Sequence, residues 1–181
     1  NNEIARQVKA VEDRISALMN QEGDENWADI RTEMGHSMEA GCGIYRREDL
    51  MQETIDKLTE LKERYKRISI KDKGKVFNTD LLYAIEVGYG LEVAEAMAHS
   101  AMMRRESRGA HQRLDDGCTE RDDVNFLKHS LALYNPDGAP TIKYGDVKIT
   151  KSQPKARLYG AAAEEAEAAA KKAEKEQKVQ A

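Results

Sequence analysis

The sequence predicts a mainly α protein: an antiparallel bundle of three or four helices, then a small β-hairpin element and a polar tail. Three observations carry that expectation. Apolar residues recur at spacings of three and four through most of the first 105 residues. Charged residues make up 34% of the 181-residue chain and aromatic residues only 6%, a balance that suits surface-charged helices better than a β-sandwich. Proline is down to three and the mean hydropathy is −0.77. The length suits one domain, or one domain plus a tail, and is enough to bury a core.

The first helix is expected over about 3–21, where Ile4, Val8, Val11, Ile15 and Leu18 share one face. Gly23 breaks it, and Asp24 is the expected N-cap of a second helix running to about Ala40 on Trp27, Ile30, Met34 and Met38. Gly35 weakens that helix, and Gly41-Cys42-Gly43 stops it. The third, from about Glu48 to Ile68, has Leu50, Met51, Ile55, Leu58, Leu61 and Tyr65 as its stripe. It also has the i,i+4 pairs Glu60/Arg64 and Glu63/Arg67. Glu48 and Asp49 suit its first turn, but Arg46 and Arg47 give it no good cap.

A charged connector over 69–76 leads to the fourth helix, Asp80 to Arg105, capped by Asn78 or Thr79. Its apolar face is Leu81, Leu82, Ile85, Leu91, Ala94, Met97, Ala98, Ala101 and Met102. Gly88 and Gly90 allow a close neighbour or mark a kink. Short joints between four such helices make an antiparallel, spectrin-repeat-like bundle over 1–105. The segment 106–159 is read as an Arg/Asp-rich docking loop and a hairpin. Its first strand lies within Phe126–Tyr134, its turn is Asn135-Pro136-Asp137-Gly138, and Thr141–Tyr144 returns, extended by Val147 and Ile149. The tail, 160–181, is Ala, Glu and Lys with little to bury, and is expected to be a frayed helix or disordered.

Charge and cysteine content narrow the function. A net charge of −4 and a pI near 5.7 argue against nucleic-acid binding. No apolar run approaches the roughly 18 residues that span a bilayer, and no signal peptide opens the chain. Two cysteines point to a reducing compartment rather than a disulfide framework. A start at Asn1-Asn2 without Met is expected of a processed chain or a piece of something longer.

Catalytic motifs are sparse. Gly41-Cys42-Gly43 and Gly88-Tyr89-Gly90 begin like dinucleotide fingerprints, but the third glycine is replaced by Arg46 and Val93. Helix punctuation is the better reading. Cys42, Cys118, His111 and His129 lack the close spacing of a zinc set. Cys118 with His111 lacks a third orienting group for nucleophilic catalysis. His36 and His99 read as packed or exposed helix residues.

The informative stretch is Arg104-Arg105-Glu106-Ser107-Arg108-Gly109-Ala110-His111, continuing through Arg113, Asp115, Asp116, Arg121, Asp122 and Asp123. It uses five Arg and no Lys, interleaved with acids. Arginine forms bidentate carboxylate pairs and tolerates partial burial. The pattern therefore favours a hydrogen-bonded network that docks the loop on another domain or chain over a solvated charge run. Nearly cancelling charge argues against a phosphate site.

This stretch and its flanks resemble the C-terminal region of the flavoprotein subunit of fumarate reductase and succinate dehydrogenase, and are nearest to bacterial quinol:fumarate reductases. The resemblance rests on Glu25-Asn26-Trp27, on Met38-Glu39-Ala40-Gly41-Cys42-Gly43-Ile44-Tyr45-Arg46 and on Asn78-Thr79-Asp80-Leu81-Leu82-Tyr83. Its most specific parts are Ala98-His99-Ser100-Ala101, Glu106-Ser107-Arg108-Gly109-Ala110-His111 and the run Arg121-Asp122-Asp123-Val124-Asn125-Phe126-Leu127-Lys128-His129. It covers about residues 1–159. One departure is Arg46-Arg47-Glu48-Asp49, which lacks the Thr-Pro-type helix start of relatives and suggests a less well capped joint.

The resemblance implies a helical bundle with a small terminal β element. It also implies a parent oxidoreductase that passes a hydride between FAD and fumarate or succinate in anaerobic respiration, with electrons routed through an iron–sulfur subunit to quinol. The family's flavin-binding glycines, FAD-linking histidine and substrate-binding Arg and His residues lie upstream of the matching region. The chain is therefore expected to be a C-terminal piece with no catalytic, cofactor-binding or metal-binding residues of its own, FAD belonging to the parent subunit. Its expected partners are the flavin-binding domain of the same subunit and the iron–sulfur subunit, with no nucleic acid and no direct membrane insertion. Its expected place is the cytoplasmic side of the bacterial inner membrane, reached through partner subunits. The docking residues assigned are Arg105, Glu106, Arg108, His111, Arg113, Arg121, Asp122 and Asp123. The competing readings are a free-standing helical adaptor that binds a protein through this loop, and a small independent enzyme built on His111 and Cys118.

Overall fold

The computed structural model describes residues 2–151, 153, 154, 160, 164, 165, 168 and 169. The chain divides into two units, Asn1–Asp146 and Val147–Ala181. The first holds every element discussed here, and the expectation for the tail over 160–181 lies largely outside the described residues.

Within the first unit the elements follow in order: α1 (Asn2–Asn20), α2 (Trp27–Cys42), β1 (Tyr45–Arg46), α3 (Glu48–Tyr65), α4 (Thr79–Met103), β2 (Gln112–Arg113), α5 (Asp123–Phe126), β3 (Lys128–Leu133) and β4 (Thr141–Asp146). The bundle proper is α2, α3 and α4, which pack on one another pairwise. The end of α3 meets the start of α4, because Tyr65 donates from its hydroxyl to the Ala84 carbonyl (2.8 Å). The start of α2 meets the start of α4, because Trp27 donates to Asp80 (2.5 Å). The order is therefore up–down–up.

Ile30, Leu58, Leu61, Ile68, Ile70, Ala84, Val87, Leu91, Ala94 and Ala98 form the core. Each large aliphatic side chain fully buried there contributes about 1.5–3 kcal/mol. The alanines of α4 are what let three helices close: Ala84, Ala94, Ala98 and Ala101 face inward while Leu82, Val93 and Met97 stay exposed. The predicted α4 face is thus partly misplaced, since Leu82 and Met97 lie outside. That helix is apolar on nearly every side, and periodicity alone does not choose among its faces.

Gly88 answers to a side chain. A Cβ there would sit 2.6 Å from the Tyr65 hydroxyl, so glycine makes room for the ring. At Gly41 a Cβ would lie 2.5 Å from the Leu50 carbonyl, which fixes how closely α2 approaches α3.

Several boundaries differ from expectation for local reasons. Asn26, not Asp24, caps α2, because its side chain accepts from the Ala28 N–H (2.9 Å) directly before the first apolar helical residue. Arg67 bonds Glu25 (3.1 Å) rather than Glu63, because α3 ends at Tyr65 and releases Arg67 from helical spacing. Asn78 caps α4 through the Leu81 N–H (2.8 Å). α1 is a helix as expected but buries none of its residues.

The hairpin pairs β3 with β4 from Lys128↔Asp146 to Leu133↔Thr141. Val147 and Ile149 add nothing to it, because β3 has no residue left to pair with them.

Candidate functional site

The segment from Arg104 to Asp123 folds as a polar core at the C-terminal end of α4. Glu106 is fully buried, Arg113 is 1% exposed, and Ser107 and Cys118 are buried beside them. An unpaired buried carboxylate would be prohibitively costly, so its partners decide whether the loop folds. Glu106 Oε1 accepts from Arg104 Nη1 (2.9 Å) and Arg108 Nε (2.8 Å). Its Oε2 accepts from Arg108 Nη2 (2.9 Å) and the Asp122 N–H (2.8 Å). Arg104 reaches on to the Phe126 and Lys128 carbonyls (2.9 and 2.7 Å), tying α5 and β3 to the same carboxylate.

Arg113 serves the helix end. Its Nη1 lies 3.2 Å from the carbonyls of Met102 and Arg104, groups that no intrahelical donor reaches. A cation there also meets the negative end of the α4 dipole. Its Nε donates to Asp115 Oδ2 (2.5 Å), and Nη2 lies 3.8 Å from Glu48 Oε2.

Asp115 resolves the missing cap of α3. Arg47 stands at that N-cap without a side-chain bond, while Asp115 Oδ1 accepts the Glu48 N–H (2.8 Å) from across the fold. The Arg46-Arg47-Glu48-Asp49 joint is thus capped remotely. Against the cost of burial, the Glu48 N–H and Arg113 hold the Asp115 carboxyl below its ordinary range.

His111 locks two elements together. Its Nδ1 accepts from Arg46 Nη1 (2.8 Å), and its Nε2–H donates to the Arg104 carbonyl (2.9 Å). An arginine can only donate, so Nδ1 carries no proton and the ring is neutral. Burial pushes its pKa down, and the cations Arg46, Arg113 and Arg104 push the same way against the Arg104 carbonyl bond. The backbone repeats the link, since β1 and β2 pair in parallel, Tyr45↔Gln112 and Arg46↔Arg113. Ser107 completes the centre: its hydroxyl donates to the Cys118 carbonyl (3.0 Å) and accepts the Arg113 N–H (2.8 Å).

The rest of the predicted set lies at the rim. Arg108 spans Glu106 and Asp123 (2.6 Å), and the two carboxylates, Glu106 first, raise its pKa. Arg121 grips Asp123 with two bonds (2.7 and 2.6 Å). Arg121 and then Arg108 hold the Asp123 carboxyl down at about 2. Asp122 caps α5 through the Val124 and Asn125 N–H groups (3.0 and 2.9 Å). Arg105 points outward to Glu48 (3.0 Å). The structure thus brings all eight predicted residues into one connected network, which Arg105 joins only through Glu48. Arg46, Arg104 and Asp115 are equally part of it without having been assigned. Asp115 carried a signal in the acid alternation of the loop; Arg46 carried none, being 65 residues from its histidine.

Among the described residues no cluster of three His, Cys, Asp or Glu side chains is placed to hold a metal. Among the described residues no helix is long and apolar enough to cross a membrane. Gly41, Gly88 and Gly90 lie inside helices and Gly43 at a helix C-terminus, so none forms the strand–turn–helix cradle that a flavin pyrophosphate needs. Burial raises the Cys42 thiol, which disfavours the reactive thiolate.

A family model described as the fumarate reductase flavoprotein C-terminus matches residues 31–159, and the chain belongs to that family. It is 70% identical over 154 residues to the fumarate reductase flavoprotein subunit of Proteus vulgaris, covering 85% of this chain and 26% of that protein. With the corresponding Escherichia coli subunit it shares 64% identity over 172 residues, 93% of this chain and 29% of that one. A solved quinol fumarate reductase chain from Escherichia coli superposes with a TM-score of 0.82 at 65% identity, covering 86% of this chain and 27% of that chain. The chain thus spans between a quarter and a third of the length of these relatives.

Proposed function

We propose that this chain acts as the C-terminal helical domain of a fumarate reductase flavoprotein subunit, packing on the flavin-bearing part of that subunit and holding no reacting group itself. The observation that carries the reading is the coverage: high identity over most of this chain falls on little more than a quarter of each relative. In this reading FAD, the hydride transfer between flavin and fumarate or succinate, and the substrate-binding residues belong to the remaining three-quarters. An iron–sulfur subunit accepts or supplies the electrons. The assembly lies at the cytoplasmic face of the bacterial inner membrane, held there by partner subunits. The division of labour is a bundle over 1–105, a docking loop and hairpin over 106–159, and a polar tail over 160–181.

Docking is assigned to Arg105, Glu106, Arg108, His111, Arg113, Arg121, Asp122 and Asp123 acting together. The buried members, Glu106 and Arg113, with half-buried His111, set the shape of the loop. Arg105, Arg108, Arg121, Asp122 and Asp123 offer its polar rim. Such a rim suits a partner surface of mixed charge rather than a polyanion.

The first test is a visible absorption spectrum of the purified 181-residue chain with dye-linked fumarate reduction. The expected result is no flavin band and no turnover; bound flavin or fumarate-dependent dye oxidation would overturn the reading. In the whole subunit, Arg108→Ala is expected to loosen the domain from the flavin part, seen as faster flavin loss on dilution. Retention and activity equal to wild type would remove Arg108 from the docking set.

A further inference from the structure

Two Asp-Gly steps occur in the sequence, Asp116-Gly117 and Asp137-Gly138, and in both the aspartate and the glycine are exposed. Such a step is chemically special. Glycine has no Cβ to restrict its backbone, so its nitrogen can turn toward the preceding side chain. That nitrogen can reach the aspartate Cγ and close a succinimide ring. The reaction needs only these two residues and water, so the surrounding fold decides which step undergoes it.

The step at 116–117 is clamped. Gly117 is held in the left-handed region (φ +74°), and the Cys118 N–H donates to the Asp115 carbonyl across it (3.0 Å). Both ends of that bond are anchored in the polar core. Asp115 accepts the Glu48 N–H (2.8 Å), and the Cys118 carbonyl accepts the Ser107 hydroxyl (3.0 Å). The step at 137–138 lies at the hairpin tip, beyond the last β3–β4 pair, Leu133↔Thr141. Asp137 is held through its backbone N–H, which donates to Asn135 Oδ1 (3.1 Å), and among the described residues its carboxylate has no partner. The Gly138 N–H reaches only the Asn135 carbonyl, at 3.5 Å, beyond the usual length of such a bond. A Cβ at Gly138 would meet nothing closer than Asn135 Nδ2 at 3.6 Å, so the turn has room to move.

We propose that Asp137 is a site of spontaneous isoaspartate formation, and that the polar core protects Asp116 from the same reaction. The Gly138 nitrogen attacks Cγ of Asp137. A C–N bond forms and a C–O bond breaks. The proton lost from nitrogen and one from solvent leave with a carboxylate oxygen as water, giving the succinimide. Water then opens the imide at either carbonyl and a proton returns to solvent. Attack at Cγ restores aspartate. Attack at the former peptide carbonyl routes the main chain through Cβ and Cγ and leaves a free carboxylate on Cα. Mass and charge end unchanged, but the main chain is longer by one methylene. Tyr134–Pro140 lies between the paired strands and outside their ladder, so β3 and β4 can keep their register. The product is a substrate for a methyltransferase that esterifies isoaspartyl carboxylates.

The test holds the purified 181-residue chain at neutral pH and body temperature for several weeks, folded in buffer or unfolded in urea. Peptides cut from each sample are then labelled by an isoaspartate methyltransferase with a radioactive methyl donor. In the folded chain the peptide holding Asp137 should gain isoaspartate about tenfold faster than the one holding Asp116, the factor that one more hydrogen bond to break is worth. In urea the two rates should draw level. Asp137→Glu, which would have to close a larger ring, should remove the hairpin label in both states. No label at Asp137 in the folded chain, or equal label at Asp116, would overturn the proposal. So would a preference for Asp137 of the same size in urea, because the choice would then lie in the local sequence and not in the fold.

Discussion

The bundle and the loop behind it are both buried, and they are held together by opposite chemistry. Between α2, α3 and α4 the interior is aliphatic, and any side chain of similar volume keeps most of the contact. Between Arg104 and Asp123 the interior is a carboxylate with four donors and an arginine on helix-end carbonyls. There the partners are specific atoms, and losing one leaves a charge buried alone. The aliphatic core should thus fail gradually and the polar core abruptly.

The largest expected effect is at Glu106. Glu106→Ala strands Arg104, Arg108 and the Asp122 N–H, and should cost about 3–5 kcal/mol in urea unfolding. It should also detach α5 and the hairpin, which proteolysis would show as cleavage after residue 104. A loss below about 1 kcal/mol would mean that the loop is solvated and the contrast false. Leu58→Ala, in the aliphatic core, should cost about 2–5 kcal/mol by the same measurement. It should leave the proteolysis pattern of the loop as it was. Asn26→Ala removes only the cap of α2 and should cost about 1 kcal/mol, read as a small drop in urea midpoint at constant slope.

The smallest effect is a pH dependence confined to the polar side. His111 is neutral in the fold and its pKa is lowered by burial from 6.5. Its contribution is therefore fully present above pH 6.5 and is lost as pH falls through the lowered native value. Stability measured from pH 7.5 downward should begin to fall below about 6.5, and His111→Asn should flatten that part of the curve. Asp123 acts in a lower window. Its stabilisation is present above its ordinary value of 3.8 and is lost as pH falls toward about 2.

The same contrast governs what can be read from the chain. The aliphatic core repeats along the sequence, so Ile30, Leu58, Leu61 and Leu91 could be placed on their helices from spacing alone. Spacing does not say what covers a stripe, and for that reason α1 looked like a fourth bundle helix while none of its residues is buried. In the loop, five arginines without a lysine signalled pairing, but not which acid each would meet. Glu106 rather than one of the aspartates is the hub because it is fully buried and accepts from Arg104, Arg108 and the Asp122 N–H. The two-residue strands β1 and β2 are too short for an alternating pattern, and their pairing depends on Arg46 meeting His111 from 65 residues away.

That distance has a temporal side. The start of α3 is completed by Asp115, which lies 67 residues downstream of Glu48. A ribosome adding about 5–20 residues per second needs several seconds to cover such a gap. Throughout that interval α2 and α3 can pair with the first turn of α3 still open. The carboxylate that closes it arrives only after α4 has been made. A nascent chain therefore acquires its helices in sequence order but fastens them from the far end, and a truncation just before Asp115 would leave α3 unlatched although every residue of α3 is present.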